Sequence, residues 1–263
     1  MTMRAKLETR QLSKSFRKGQ VVTEVLRDLD IDIYPGEFVS IVGASGCGKT
    51  TFLRLVDGLI EPTRGTVAID GEAVTRPGDR IAFVFQQDGL LPWRTVTGNA
   101  ALGPEIQGRD RGTAHGIAEK FLRLVGLAGF GRHFPHELSG GMRQRVNLAR
   151  ALSAGADVLL MDEPFAALDA QTRELMQAEL LRIWAEARKT VLFITHQIDE
   201  AIYLSDRVLV MSARPGRILA DIPIDLPRPR ELRIKRTPEF TALADRIWEL
   251  IAPQLRSDVR AAD

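Results

Sequence analysis

Eight consecutive residues, Gly43-Ala44-Ser45-Gly46-Cys47-Gly48-Lys49-Thr50, constrain this chain more than any others. They satisfy the pattern G-x-x-x-x-G-K-[ST] at every fixed position, a pattern that works only between a strand and a helix. Both flanks are readable. Glu37 to Val42 is an apolar, β-branched run behind a Pro35-Gly36 turn, and Thr51 to Val56 carries apolar residues at helical spacing up to Gly58. The glycines let backbone N–H groups curl around an anion, and the helix N-terminus adds partial positive charge at the same point. In such a loop Lys49 is expected to reach the β- and γ-phosphates of a nucleotide, and the Thr50 hydroxyl a Mg²⁺ ion.

Composition narrows the setting. The chain has 263 residues, 44% hydrophobic and 27% charged, enough for one large α/β domain or two small ones. Lys and Arg number 36 against 34 Asp and Glu, a net charge of +2, so no global basic field argues for nucleic acid. The single cysteine, Cys47, excludes an internal disulfide and any cysteine-only zinc site within one chain. Met1 to Lys6 lacks the apolar core of a signal peptide, and no stretch reaches the roughly 18 apolar residues of a membrane span. Membrane association is therefore expected through a partner.

In chain order, residues 6 to 34 read as an antiparallel strand pair, with Leu29, Ile31 and Ile33 alternating with aspartates. Phe16 lies between its strands, where packing alone favours a core position over stacking on a base. Gly65 to Gly71 reads as a hairpin strand ending in an Asp-Gly turn. Arg80 to Gln86 reads as a buried strand that ends on Gln86, the end at which open α/β sheets contact ligands. From Asp88 to about Gly155 the pattern turns helical, which suggests an inserted subdomain; Trp93 there is either core or a partner contact. That stretch closes on Leu138 to Val146, where Ser139 can cap a long helix and Gly140 and Gly141 permit close backbone approach, a second helix N-terminus suited to an anion. Val158 to Met161 is a fully apolar strand ending in Asp162 and Glu163, placed to serve a metal and to accept a proton from water. Thr190 to Thr195 is another buried strand with His196 at its end. His115, His133 and His136 lack metal spacing and read as surface or packing residues. A final helix starts at Pro238, with Phe240, Leu243, Ile247, Leu250 and Ile251 on one apolar face.

Taken together these stretches resemble the ATP-binding subunit of an ABC transporter, over nearly the whole chain. Gly43 to Thr50 matches the Walker A motif, Gln86 the Q-loop, Leu138 to Gln144 the LSGGQ-type signature, Val158 to Asp162 Walker B, Ala167 to Asp169 the D-loop and His196 the switch histidine. Met142 departs from the signature, which usually carries Gln there. Phe16 matches the family's adenine-stacking aromatic, which reverses the preference for core. Leu90 to Trp93 and Ser212 to Arg217 look like the nitrate, sulfonate, taurine and bicarbonate importer group.

The resemblance implies a P-loop NTPase (RecA-like) mixed-sheet core with an antiparallel β subdomain and an inserted helical subdomain. The expected divisions are 1–87 for the first part of the core, 88–155 for the helical subdomain, 156–222 for the second part of the core and 223–263 for a C-terminal extension. It also implies ATP and Mg²⁺ as ligands. Phe16, Gly43, Ser45, Gly46, Cys47, Gly48, Lys49, Thr50, Thr51, Ser139, Gly140 and Gly141 would bind nucleotide; Thr50, Gln86 and Asp162 would serve the metal; Glu163, His196 and Gln86 would act in hydrolysis. The expected partners are a second copy of the chain in a head-to-tail dimer, membrane permease subunits docking on the helical subdomain, and indirectly a periplasmic solute-binding protein, at the cytoplasmic face of the inner membrane. The alternatives are a non-transport ABC-type ATPase or an importer of another small solute. Cys47, beside a helix N-terminus, is expected to label quickly without nucleotide and slowly with MgATP.

Overall fold

The computed structural model describes residues 4–86 and 88–260, with side chains to Gln254. The chain divides into two compact units: one runs to Pro77 and resumes at Thr190, and the other is Gly78–Lys189.

The first unit opens with β1 (Leu7–Lys18) and β2 (Val21–Ile33), paired antiparallel. The alternation in β2 sorts its faces: Leu29, Ile31 and Ile33 are buried while Asp28 and Asp30 are exposed. Phe16 sits within β1, opposite Thr23, rather than between the strands, because regular pairing continues to Lys18. β3 (Phe38–Gly43) is buried at every position and leads into the glycine-rich loop and α1 (Lys49–Val56). β4 (Arg64–Ile69) pairs with β1, and the Asp70-Gly71 turn, both residues at positive φ, returns the chain as β5 (Glu72–Ala73).

The second unit contains β6 (Ile81–Val84), then α2 (Val96–Ala100), α3 (Leu102–Ile106), α4 (Arg111–Leu124) and α5 (Gly140–Ser153). β7 (Val158–Asp162) runs parallel to β6, Ile81 facing Val158 and Val84 facing Met161. α6 (Ala170–Ala187) follows, capped by Asp169, whose carboxylate accepts from the Thr172 amide at 3.0 Å. Trp184 is buried in this unit and donates its indole N–H to the Lys189 carbonyl.

The chain returns to the first unit as β8 (Thr190–Ile194), parallel to β3. α7 (Ile198–Leu204) and β9 (Arg207–Met211) follow, β9 lying parallel to β3 on its other side. β10 (Ile218–Pro223) pairs antiparallel with β9. β3 is thus the inner strand, which explains its uninterrupted apolar run and places the loop at the carboxyl end of a central strand. α8 (Pro238–Arg260) packs on α7 and β9 through buried Phe240, Ile247 and Ile251, three of the five apolar positions expected on its face. Among the described residues, no helix is long and apolar enough to cross a membrane.

Candidate functional site

In the first unit the 43–50 loop wraps back on itself. Gly46 has φ 73° and Gly48 φ 109°, and Gly48 is the N-cap residue of α1, with no side chain to bond the first turn. A Cβ at Gly48 would meet Leu26 Cδ2 at 2.6 Å, so β2 packs directly under the loop and admits only glycine there. The first-turn N–H groups of α1 are left without a side-chain cap, the arrangement an anion needs.

Lys49 is buried, and its Nζ folds into the loop to donate to the carbonyls of Gly43 at 2.8 Å and Ala44 at 3.0 Å. Ser45 and Gly46 are exposed at the loop's crest, and Thr50 and Thr51 are half-buried on the first turn of α1. Cys47 departs from expectation. Its side chain is 1% exposed, with Sγ 3.7 Å from Lys49 Nζ. Only its backbone can face a ligand, and the quick alkylation expected of it does not follow, because the loop turns the thiol inward.

Phe16 is 45% exposed on β1, with Lys14 Nζ 5.0 Å from its ring centroid. An aromatic left half in water is not serving as core, and Lys14 lies over one face of its ring. His196 is exposed two residues beyond β8, just after Thr195, whose hydroxyl accepts from the Gln197 amide.

The second unit holds the remaining candidates. β6 ends at Val84, so Gln86 is an exposed residue in a bend two positions past the strand rather than its last member. Asp162 is the last residue of β7, half-buried, and Glu163 follows at φ 44°. A left-handed conformation costs a glutamate about 1–2 kcal/mol relative to the ordinary regions, a strain typical of side chains aimed by their backbone. Buried Pro164 and Phe165 hold the turn from the other side.

Ser139 caps α5, its hydroxyl accepting from the Met142 amide at 3.3 Å, and it is exposed with Gly140. α5 also holds the segment after Gln86, a link that sequence reasoning missed. Arg143 Nε reaches the Asp88 carboxylate at 2.9 Å, and Arg150 donates to the carbonyls of Asp88 and Gly89. Burial pushes the Arg150 guanidinium below its usual pKa, partly countered by Asp88. Basic residues spaced along α5 were the available signal. Trp93 is 72% exposed, at the rim of an open groove of about 560 Å³ shared with Arg94, Glu105, His115 and Phe134. It is not core.

Arg214, also missed, donates to the Gly46 carbonyl at 3.1 Å from 168 residues away in sequence. No group of histidine, cysteine and acidic residues suited to a metal occurs among the described residues, so an ion would need ligands beyond such a cluster, such as the Thr50 hydroxyl and phosphate oxygens.

A family profile described as ABC transporter matches residues 26–166. The chain belongs to the ABC transporter family. The ABC chain is 45% identical over 258 residues to an uncharacterized ABC transporter ATP-binding protein of Methanocaldococcus jannaschii, covering 98% of this chain and 96% of that one. It is 45% identical over 253 residues to a nitrate import ATP-binding protein of Synechocystis, covering 93% and 94%. It is 46% identical over 251 residues to a taurine import ATP-binding protein of Rhizobium johnstonii, covering 94% and 95%. Among solved structures, a dimeric post-hydrolysis state of the ATP-binding cassette MJ0796 with ADP and Pi superposes with TM-score 0.72 at 32% identity, over 84% of this chain and 99% of that one. The ABC cassette fold and its ATPase class are thereby established for this chain.

Proposed function

We propose that this ABC ATPase powers import of a small solute by binding and hydrolysing ATP between two copies of itself. The observation that carries the reading is the 43–50 loop: positive-φ glycines, an uncapped helix N-terminus and a buried lysine at one point. Loop N–H groups and Lys49 take the phosphates, and Phe16 offers its exposed ring to the base. Thr50, Gln86 and Asp162 would offer oxygens to a Mg²⁺ ion, which would screen the phosphate charge. Glu163, aimed by its left-handed backbone, takes the proton of the attacking water, and His196 steadies the terminal phosphate.

Ser139 and Gly140, both exposed, and half-buried Gly141 present a second helix N-terminus, suited to the nucleotide of a partner copy. Support for a dimer comes from the solved cassette, whose form is dimeric. The groove at Trp93 is the docking surface we assign to a membrane permease, which would hold the chain at the cytoplasmic face of the membrane. The nitrate and taurine import relatives support a small anionic or zwitterionic solute, and the proposal adds a periplasmic binding protein that delivers it.

The test is Glu163→Gln in the full chain. It should bind MgATP as wild type does, lose more than about 99% of turnover, and sediment as a dimer only with MgATP. Retained turnover removes Glu163 as the base, and a monomer at saturating MgATP removes the shared site. Uptake of labelled nitrate and taurine by the assembled transporter assigns the solute.

A further inference from the structure

The Ser212–Arg217 turn between β9 and β10 touches the phosphate loop in two places. Arg214 Nη2 donates to the Gly46 carbonyl at 3.1 Å, at the crest of the loop where the backbone has its left-handed φ of 73°. Gly216 lies against the next residue, Cys47: a Cβ there would sit 2.4 Å from the Cys47 carbonyl oxygen, so the turn approaches as closely as a backbone can.

The turn is itself fixed from two sides. Gly216 exchanges bonds with β2, donating to the Val25 carbonyl at 2.8 Å and accepting from the Arg27 amide at 3.0 Å. The Ser212 hydroxyl accepts from the Arg217 amide at 2.9 Å and closes the turn internally. On its other flank the Ala213 amide donates to Gln254 Oε1 on α8, while Gln254 Nε2 donates to the Leu250 carbonyl of the same helix at 2.8 Å. Gln254 therefore bonds the turn with one end of its amide and its own helix with the other. An unbroken set of bonds runs from α8 through Ala213 and Arg214 to Gly46, all within the first unit.

We infer that Arg214 is a positioning residue of the phosphate loop and that α8, through Gln254, sets how well Arg214 performs that task. The planar guanidinium holds the Gly46 carbonyl outward, which keeps the loop's N–H groups facing the phosphates before nucleotide arrives. The inference rests on the ATP-binding reading and adds to it a residue of the Ser212–Arg217 stretch, which the sequence tied to the importer group and not to the nucleotide site. Because Arg214 acts on the shape of the loop and not on the reacting atoms, its loss should weaken capture of MgATP and leave the chemical step alone.

Steady-state ATPase of the full chain separates these. Arg214→Ala should raise the KM for MgATP and its equilibrium Kd together, by about three- to tenfold, with kcat within about twofold and the unfolding midpoint unchanged. Arg214→Lys should recover only part of the loss, since a flexible ammonium places its donor less rigidly than the planar guanidinium. Gln254→Ala should raise KM in the same direction by a smaller factor. The double variant should be no worse than Arg214→Ala alone, because both changes remove one path. An unchanged KM and Kd in Arg214→Ala overturns the inference, as does full additivity with Gln254→Ala or full rescue by lysine. Lys49→Ala is the control for the underlying reading: if wild type and Lys49→Ala bind MgATP equally, ATP binding at this loop is wrong; if only Lys49→Ala fails, the positioning role of Arg214 is wrong.

Discussion

The guanidinium of Arg150 donates to two successive carbonyls, those of Asp88 at 2.9 Å and Gly89 at 2.8 Å. One side chain, three turns into the helix that Ser139 caps, thus fixes the segment that follows Gln86. Arg150→Ala should lower unfolding stability by about 1–2 kcal/mol, read as a fall in the urea midpoint at constant slope. Arg150→Lys should recover little, because one ammonium cannot span two adjacent carbonyls with the same fork. Full recovery by lysine would show that charge alone holds the segment.

Glu163 offers a test of strain. Its φ of 44° suits glycine better than any side chain with a Cβ. Glu163→Gly should therefore be more stable than Glu163→Ala by about 1 kcal/mol while both lack turnover. Equal midpoints in thermal unfolding would mean that the turn relaxes once the carboxylate is gone.

Cys47 is buried and is the only cysteine in the chain. Maleimide labelling of the native protein should be slow with or without MgATP, and should accelerate at least tenfold, roughly, once urea opens the loop. Rapid labelling of the native chain would place the thiol at the surface.

Asp57 ends α1 buried, and burial pushes its carboxyl up to about 6. The unfolded chain gives up this proton near pH 4, so between about pH 4 and 6 the folded state binds more protons and stability falls as pH rises. Asp57→Asn should remove that slope, leaving the two proteins closest at pH 4 and the variant ahead by about 1–3 kcal/mol at pH 8. Denaturant titrations at the two pH values check it, and parallel pH profiles would refute it.

What the sequence disclosed and what it hid divide by range. The strand, loop and helix around Gly43 to Thr50 were legible because their signals are local: an apolar β-branched run, glycines, then apolar residues at helical spacing. Asp162 and Glu163 were legible for the same reason, at the end of an apolar strand. The inward turn of Cys47 was not, because it belongs to a loop packed against distant strands, with Met211 close to Gly43 and Leu26 close to Gly48. Phe16 was misread as lying between strands because β1 keeps pairing through polar residues that give no alternation. Arg214 and Arg150 escaped for a further reason: each bonds to a backbone carbonyl, and carbonyls leave no mark on residue type.

Lys49 already has partners within the loop, the carbonyls of Gly43 and Ala44. On the proposed reading, capture of a nucleotide would be an exchange, in which the ammonium leaves two neutral oxygens for charged ones and the affinity reflects only the difference. A ligand of low charge offers too little to draw the lysine away. On that reading the loop would select for polyanions before any base or sugar is read.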